Sequence, residues 1–501
     1  MQHALWHRVY ITNQKDTARA RCRSFPVLGH AQASVAGKGV RRMSVFSLSN
    51  LKKTWYYLQK NGIRNAVWAV LERIGQEQEV YTWQEPDEKT LSFQREHSAS
   101  LRISIVVPAY RTKKEHLEAM LNSVSKQSYP HWELIVADAG GTAESVQAWA
   151  KKNGICLRKA ADASNLAEWK DQSIMLCTLS ENKGISANTN AGIELAAGDA
   201  VGLLDHDDLL TANALWEMAD CLEKEKKRGK QKLVLFSDED KCDGAASRFY
   251  EPNFKPDFDG ELLLTNNYIC HFAVIETAFL KELKLRSGFD GAQDYDLMLR
   301  AYAAGGQFVH VPKVLYHWRC HEASTASNPQ SKRYAYEAGQ RALEDYCFRK
   351  GWKATVSGLK HLGFYREDYE DSVFCQRPEI GIWAKPLPGG RDILGIRHPK
   401  GFLVSGLYEN DGSMRYAGLR KGYSGPMHRA ALQQSAPAAD LRSMEVCSAL
   451  KERYAQTIAE LKEACQGLPT AAQEKKILQK SMEFCKEATA AGYGILWDPQ
   501  A

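Results

Sequence analysis

The chain has no Cys-x-x-Cys pair and no cysteine–histidine cluster of zinc-finger spacing; its 12 cysteines are scattered singly along 501 residues. That argues against a structural zinc and a disulfide framework, and makes a reducing cytosol the simplest home. No apolar run approaches the roughly 20 residues that span a bilayer. The N-terminus lacks an uninterrupted apolar stretch of signal-peptide type, which argues against secretion. A glycine-rich phosphate loop is missing after the first apolar strand, where Val107-Pro108-Ala109-Tyr110-Arg111 stands instead; this disfavours a nucleotidyltransferase. Charge of one sign is also scarce. The net charge is +6, from 66 basic and 60 acidic residues, so the overall balance selects no partner.

What is present is an ordinary globular composition, 44% hydrophobic and 25% charged. The length predicts two or three domains. Residues 1–42 lack periodicity and read as a disordered extension, or as sequence upstream of a start at Met43. Within 43–97, Leu51, Trp55 and Leu58 and then Ile63, Val67, Val70 and Leu71 recur at helical spacing. Lysines and arginines interleave with Trp55, Tyr56, Tyr57 and Trp68. Residues 49–75 are thus expected either to lie on an anionic membrane surface or to pack as a helical pair on the next domain. Gln76–Ser98 is charged and turn-rich and reads as a linker.

From Ile103 strands and helices alternate. Strands are expected at Ile103–Val107, Glu133–Ala137, Ile174–Cys177 and Ala200–Leu204, with helices between them at Glu115–Lys126, Ala143–Lys152 and Ile185–Ala197. Such alternation implies an α/β fold, a mostly parallel sheet flanked by helices, in which ligands bind beyond the carboxyl ends of the strands. At one such end stands Leu204-Asp205-His206-Asp207-Asp208. Carboxylates two apart in extended chain point the same way, so Asp205 and Asp207 can converge on a hard cation such as Mn2+ or Mg2+. An acidic turn capping the helix that starts near Thr211 would look the same. Asp138 follows another strand, and Asn182-Lys183-Gly184-Ile185-Ser186 with Asn188 and Asn190 opens a helix, where free N–H groups favour a phosphate. Gln293-Asp294-Tyr295-Asp296 opens a further helix, and His310, His317 and His321 follow a last strand.

In order and identity these stretches resemble the family 2 glycosyltransferases, which are inverting enzymes of the GT-A fold. The matching strings are Ser104–Tyr110, Trp132–Asp138, Asn182–Ser186, Leu204–Asp208, Gly291–Leu297 and Leu315–Arg319. The LDHDD, SDEDK (Ser237–Lys241) and GAQDYDL strings look like bacterial transferases of the rhamnosyltransferase and O-antigen type. The resemblance implies a catalytic domain over 98–350 that takes a UDP- or dTDP-sugar donor and a glycan acceptor, lipid-linked at the inner face of the cytoplasmic membrane. It implies that Pro108, Tyr110 and Asp138 line the nucleotide site, joined by Asn182, Gly184, Ser186, Asn190 and Asp205. It implies a metal held by Asp205, Asp207 and, as in some GT-A enzymes, His317, with His310 and His321 as competitors. Asp294 falls where the family places its base. An inverting transfer needs one such carboxylate, whereas a glycosidase needs two flanking the sugar. Two departures stand out: Ala137-Asp138-Ala139-Gly140 where the family often has Asp-Asp-Gly-Ser, and Gln293-Asp294 where Glu-Asp is usual.

The chain end carries an echo. Ala303-Ala304-Gly305 recurs as Ala490-Ala491-Gly492, and the same offset carries Pro312 onto Pro499 but Asp294 onto Ser481. Residues 351–501 are therefore expected to hold a partial, degenerate second GT-A-like module. A competing reading of the whole chain is a catalytically decayed scaffold that binds glycan or nucleotide sugar. Nucleic-acid binding has only the basic N-terminus in its favour, with no recognisable motif.

Overall fold

A strand covered by helices on both faces needs apolar side chains in both directions, and the runs Ile103–Val107 and Leu134–Val136 supply them. The structure, a computed structural model, describes residues 82–160, 170–255, 257–320, 333–358, 363–384, 415–416, 444–464, 480, 483–484, 487–488 and 490–497. The N-terminal extension, the 49–75 helices, His321, Ser481 and Pro499 lie outside the described residues.

The first half runs α1 (Glu88–Glu96), β1 (Ile103–Ala109), α2 (Lys114–Ser125), β2 (Trp132–Asp138), α3 (Ala143–Asn153), β3 (Cys156–Lys159), β4 (Ser173–Thr178), α4 (Ile185–Leu195) and β5 (Ala200–Leu203). It continues with β6 (Leu209–Leu210), α5 (Ala214–Lys227), β7 (Leu233–Asp243), β8 (Phe249–Asn253), α6 (Gly260–Thr265), β9 (Ala273–Glu276), α7 (Thr277–Leu283), α8 (Gln293–Ala303) and β10 (Gln307–Cys320). After α9 (Arg333–Arg349), β11 (Ala354–Gly358) pairs antiparallel with β12 (Tyr365–Tyr369), and α10 (Val373–Gln376) follows.

The large sheet has the order β3-β4-β2-β1-β5-β9-β7-β10-β6, with β8 added beside β7. β3, β4, β2, β1 and β5 are parallel neighbours. The departures from a wholly parallel sheet are β9, antiparallel to both β5 and β7, with β6 antiparallel to β10 and β8 antiparallel to β7. Alternation sorts β1 between two cores: Ile103, Ile105 and Val107 face α2 and α5, and Val106 faces the side of α4, α6, α8 and α9. The supposed linker is partly helical. Asp87 caps α1 by accepting from the Thr90 N–H, and buried Gln94 is tied to Ser128 and Glu217.

The expected domain limit at residue 350 also moves. Val356 and Tyr365 belong to the second core cluster. The Arg377 guanidinium makes two bonds of 2.6 Å to the buried Glu261 carboxylate and lies 4.7 Å from the Trp352 ring centre. Beyond it, β13 (Ile380–Ala384) pairs with β15 (Met444–Val446) and β16 (Gly494–Trp497), with β14 (Arg415–Tyr416) on the far side of β16. α11 (Ser448–Arg453) and α12 (Ala455–Ala464) lie between them in sequence, and Ile382, Leu450, Ile458 and Phe484 form a small separate core. The chain turns into β10 through Gly305 and into β16 through Gly492, both at positive φ (78° and 91°), and each of these strands pairs parallel to one neighbour and antiparallel to another. Removing one partner of a buried ion pair strands the other charge, so Arg377→Ala is expected to cost about 3–5 kcal/mol in urea unfolding; a loss below about 1 kcal/mol would show the pair to be dispensable.

Candidate active site

The register brings the carboxyl ends of three strands level. Ala109 pairs with Asp138, and Val106 with Leu203, so Pro108 and the loop after β5 emerge together. β9 runs the other way, with Val274 opposite Gly202. The residues just before β9, from Asn267 to His271, therefore arrive at the same sheet edge. An open cleft forms there. Pro108, Asp205, Asn267, His271, Asp294 and Tyr316 are among its walls.

The acidic loop divides its labour. Asp208 is buried and accepts from Tyr316 Oη and from the Arg319 N–H at 2.7 Å, while the Arg319 side chain bonds the Asp207 carbonyl. Asp208 is thus a structural anchor to β10. Asp205 stays on the cleft wall, where burial, and then the Asp207 carboxylate beside it, push its pKa up. At the opening of α8 the two acids also part. Asp296 is buried between Arg286 and Arg300. Asp294 faces the cleft, with Oδ1 accepting from the Tyr295 N–H at 2.9 Å and Oδ2 from Asn267 Nδ2 at 2.8 Å. Burial raises its pKa, against those hydrogen bonds and the nearby His271. A carboxylate that holds protons more firmly than usual is a better proton acceptor.

The histidines settle differently from expectation. Three consecutive acids of β7 each engage one: Asp238 bonds His310 at 2.8 Å, Glu239 bonds His271 at 2.9 Å and Asp240 bonds His317 at 2.5 Å. His317 is buried, with Nδ1 on Asp240 and its ring against Trp83 and Phe249. It is not among the cleft walls, and neither is His310. Among the described residues no three acidic, histidine or cysteine side chains converge as a metal-ligand set, so the expected trio of Asp205, Asp207 and His317 is not assembled. Of the expected ligands Asp205 alone is among the cleft walls, with the Asp207 carboxylate beside it raising its cost of ionisation; a hard cation shared with a diphosphate needs only one or two carboxylates. The histidine that does line the cleft is His271. The sequence signal was a His standing before the apolar run Phe272–Ile275.

Several expected nucleotide contacts are engaged in holding the fold. Asp138 is buried, and its carboxylate accepts from the backbone N–H groups of Gly140, Thr142 and Ala143. Asn190 exchanges two hydrogen bonds with the backbone of Leu285. The N-terminus of α4 is not left open to a phosphate. Asp290 reaches it, accepting from the Ser186 N–H at 3.3 Å, and lies where a side chain on Gly184 (φ 94°) would stand. Asn182 caps locally, accepting from the Gly184 N–H and from Asn188. The structure leaves Pro108 on the cleft wall and Tyr110 exposed at the end of β1, with Arg111 over its ring.

Residues 104–283 match the family model described as Glycosyl transferase family 2. It is 36% identical over 265 residues to the uncharacterized protein y4gI of Sinorhizobium fredii, and 34% identical over 256 residues to the O-antigen biosynthesis protein RfbC of Myxococcus xanthus. These matches span 52% and 51% of this chain but only 27% and 19% of those longer proteins. A glucosyltransferase of Escherichia coli, WfgD, named as acting on GlcNAc-diphosphoundecaprenol, is 30% identical over 114 residues, 23% of this chain and 38% of that one. A crystal structure of S. aureus TarS with UDP aligns over 50% of this chain and 66% of that chain at 18% identity, with a TM-score of 0.36.

The His271–Glu239 pair gives the cleft wall a pH signature. Burial alone would lower the His271 pKa, but Glu239 outweighs it and lifts the value to about 9. Burial would raise Glu239, but Lys255 and His271 hold it down at about 2. The histidine's contribution to stability is full below its ordinary value of 6.5 and is lost as pH rises through about 9; that of Glu239 is full above 4.5 and is lost as pH falls through about 2. The stability difference between wild type and His271→Gln in urea unfolding should therefore be greatest between about pH 4.5 and 6.5, and shrink above about 9. A difference flat across that range would contradict the charged pair.

Proposed function

We propose that the chain is an inverting glycosyltransferase that moves a sugar from a UDP- or dTDP-sugar onto a hydroxyl of a growing bacterial surface glycan. The observation that carries this reading is the pairing, in one cleft, of Asp294 and Asp205. The first is a single carboxylate of raised proton affinity. The second stands on the loop after β5, with Asp207 two residues on. Asp294 takes the proton of the attacking acceptor hydroxyl. Asp205 and Asp207 would hold Mn2+ or Mg2+, which when bound would neutralise charge developing on the leaving diphosphate. Pro108 contributes to the wall against which the donor lies.

RfbC, by its name, acts in O-antigen biosynthesis, and WfgD, by its name, transfers glucose to GlcNAc-diphosphoundecaprenol; both names support a glycan acceptor. The lipid-linked substrate in the name of WfgD supports an acceptor presented at the cytoplasmic face of the membrane. Among the described residues no helix is long and apolar enough to cross a membrane. The basic residues that interleave with Trp55, Tyr56, Tyr57 and Trp68 in 49–75 would supply peripheral contact with such an acceptor. The segment after Ile380, with serine at the position that echoes Asp294, serves as a companion to the catalytic domain and not as a second active centre.

The test is turnover of UDP-glucose, UDP-galactose, UDP-N-acetylglucosamine and dTDP-rhamnose by purified protein with Mn2+ or Mg2+, beside Asp294→Asn and Asp205→Asn. Turnover of one donor is expected, lowered by about 10²- to 10⁴-fold in Asp294→Asn. Binding of UDP or dTDP by calorimetry with no turnover of any donor, by wild type as by mutant, would instead favour a decayed, ligand-binding scaffold.

A further inference from the structure

The cleft wall contains an amide beside Asp294. Asn267 stands one residue beyond the C-cap of α6, and its Nδ2 donates to Asp294 Oδ2 at 2.8 Å. The other carboxylate oxygen is held by the Tyr295 N–H on the same helix as Asp294. The two bonds come from different elements and fix both oxygens, so the plane of the carboxylate is set between them. Its orientation about the side-chain torsion is not left to solvent.

Asn267 is itself held firmly. α6 is capped by Asp259, which accepts from the Glu261 and Leu262 N–H groups. Glu261 is gripped by Arg377. Tyr295, the neighbour of Asp294, donates its hydroxyl to the Leu263 carbonyl at 2.7 Å. The segment carrying the amide and the helix carrying the carboxylate are therefore bolted together close to the bond in question. The amide oxygen of Asn267, Oδ1, is buried without a hydrogen-bond partner among the described residues. A buried amide placed for packing would ordinarily satisfy both ends. This one satisfies only the end that faces Asp294. An ionised carboxylate can only accept, which fixes Nδ2, and not Oδ1, toward it.

We infer that Asn267 is the positioning residue for Asp294, presenting its carboxylate to the acceptor hydroxyl. The inference rests on Asp294 being the base. The Asn267 bond also favours the ionised form of Asp294, since it lowers a pKa that burial raises.

The experiment measures kcat, donor KM and the pH–rate profile, with whichever donor of the panel above wild type turns over, for Asn267→Ala, Asn267→Asp and Asp294→Asn. Asn267→Ala should lower kcat by about ten- to a hundred-fold with donor KM nearly unchanged, and move the acidic limb of the profile to higher pH. Asn267→Asp has almost the same shape but sets carboxylate against carboxylate, so it should move the limb further and lose more activity than Ala. A purely structural role predicts the reverse order, with the near-isosteric Asp tolerated and Ala worse. That order, or wild-type kcat and limb in both variants while Asp294→Asn is inactive, would overturn the role of Asn267 and leave the base standing. Undiminished turnover by Asp294→Asn, or none by wild type with any donor, would overturn the underlying reading of Asp294, and the inference about Asn267 with it.

Discussion

A sheet interior tolerates ionised groups only when each finds a partner, and β7 carries three in succession, Asp238, Glu239 and Asp240, all buried. Much of the domain built on the large sheet is arranged around meeting that demand. Asp238 and Asp240 point to one side and take His310 and His317 from the adjacent β10; Glu239 points to the other and takes His271 from the chain entering β9. Lys255, with its side chain fully buried, closes the set. Its ammonium lies 3.4 Å from Glu239 and also bonds the Ile269 carbonyl, and its backbone N–H donates to Asp238. The tie of the loop before β9 to Glu239, and with it the place of His271 on the cleft wall, meets the same electrostatic requirement.

The order of the strands and their ends was legible from periodicity. Expected and observed limits of β1, β2, β4 and β5 differ by two residues at most. Asp205 and Asp294 were legible too, because each sits at a boundary of an element, where a short polar string interrupts an apolar pattern. What escaped was set by tertiary pairing. An antiparallel strand in a parallel sheet delivers its beginning, not its end, to the ligand edge, so a search beyond carboxyl ends passes over Asn267 and His271. His310 and His317 of β10 looked free because their acids lie more than 70 residues earlier in sequence. Asp290 at the head of α4 comes from 104 residues away, and no local pattern in Asn182–Ser186 announces it.

Asp138 and Asn190 teach a related point. Each is the right residue type in the right place for a ligand contact, and each is engaged by backbone groups a few ångströms away. Polar residues near a strand end serve the turn that makes the site before they serve the ligand. Asp205, Asp294 and His271 differ in that part of each side chain remains on the cleft wall after its structural bonds are counted.

The family match ends at residue 283, but the physical unit does not. Glu261 lies within the matched stretch, and its counter-ion is Arg377, with β11 and β12 packed on the way. Exchange of this module between longer polypeptides by recombination at the limits of the family pattern would separate a buried anion from its cation. The heritable cassette must extend at least through Arg377, and natural shuffling of such domains should leave junctions beyond that point and not before it.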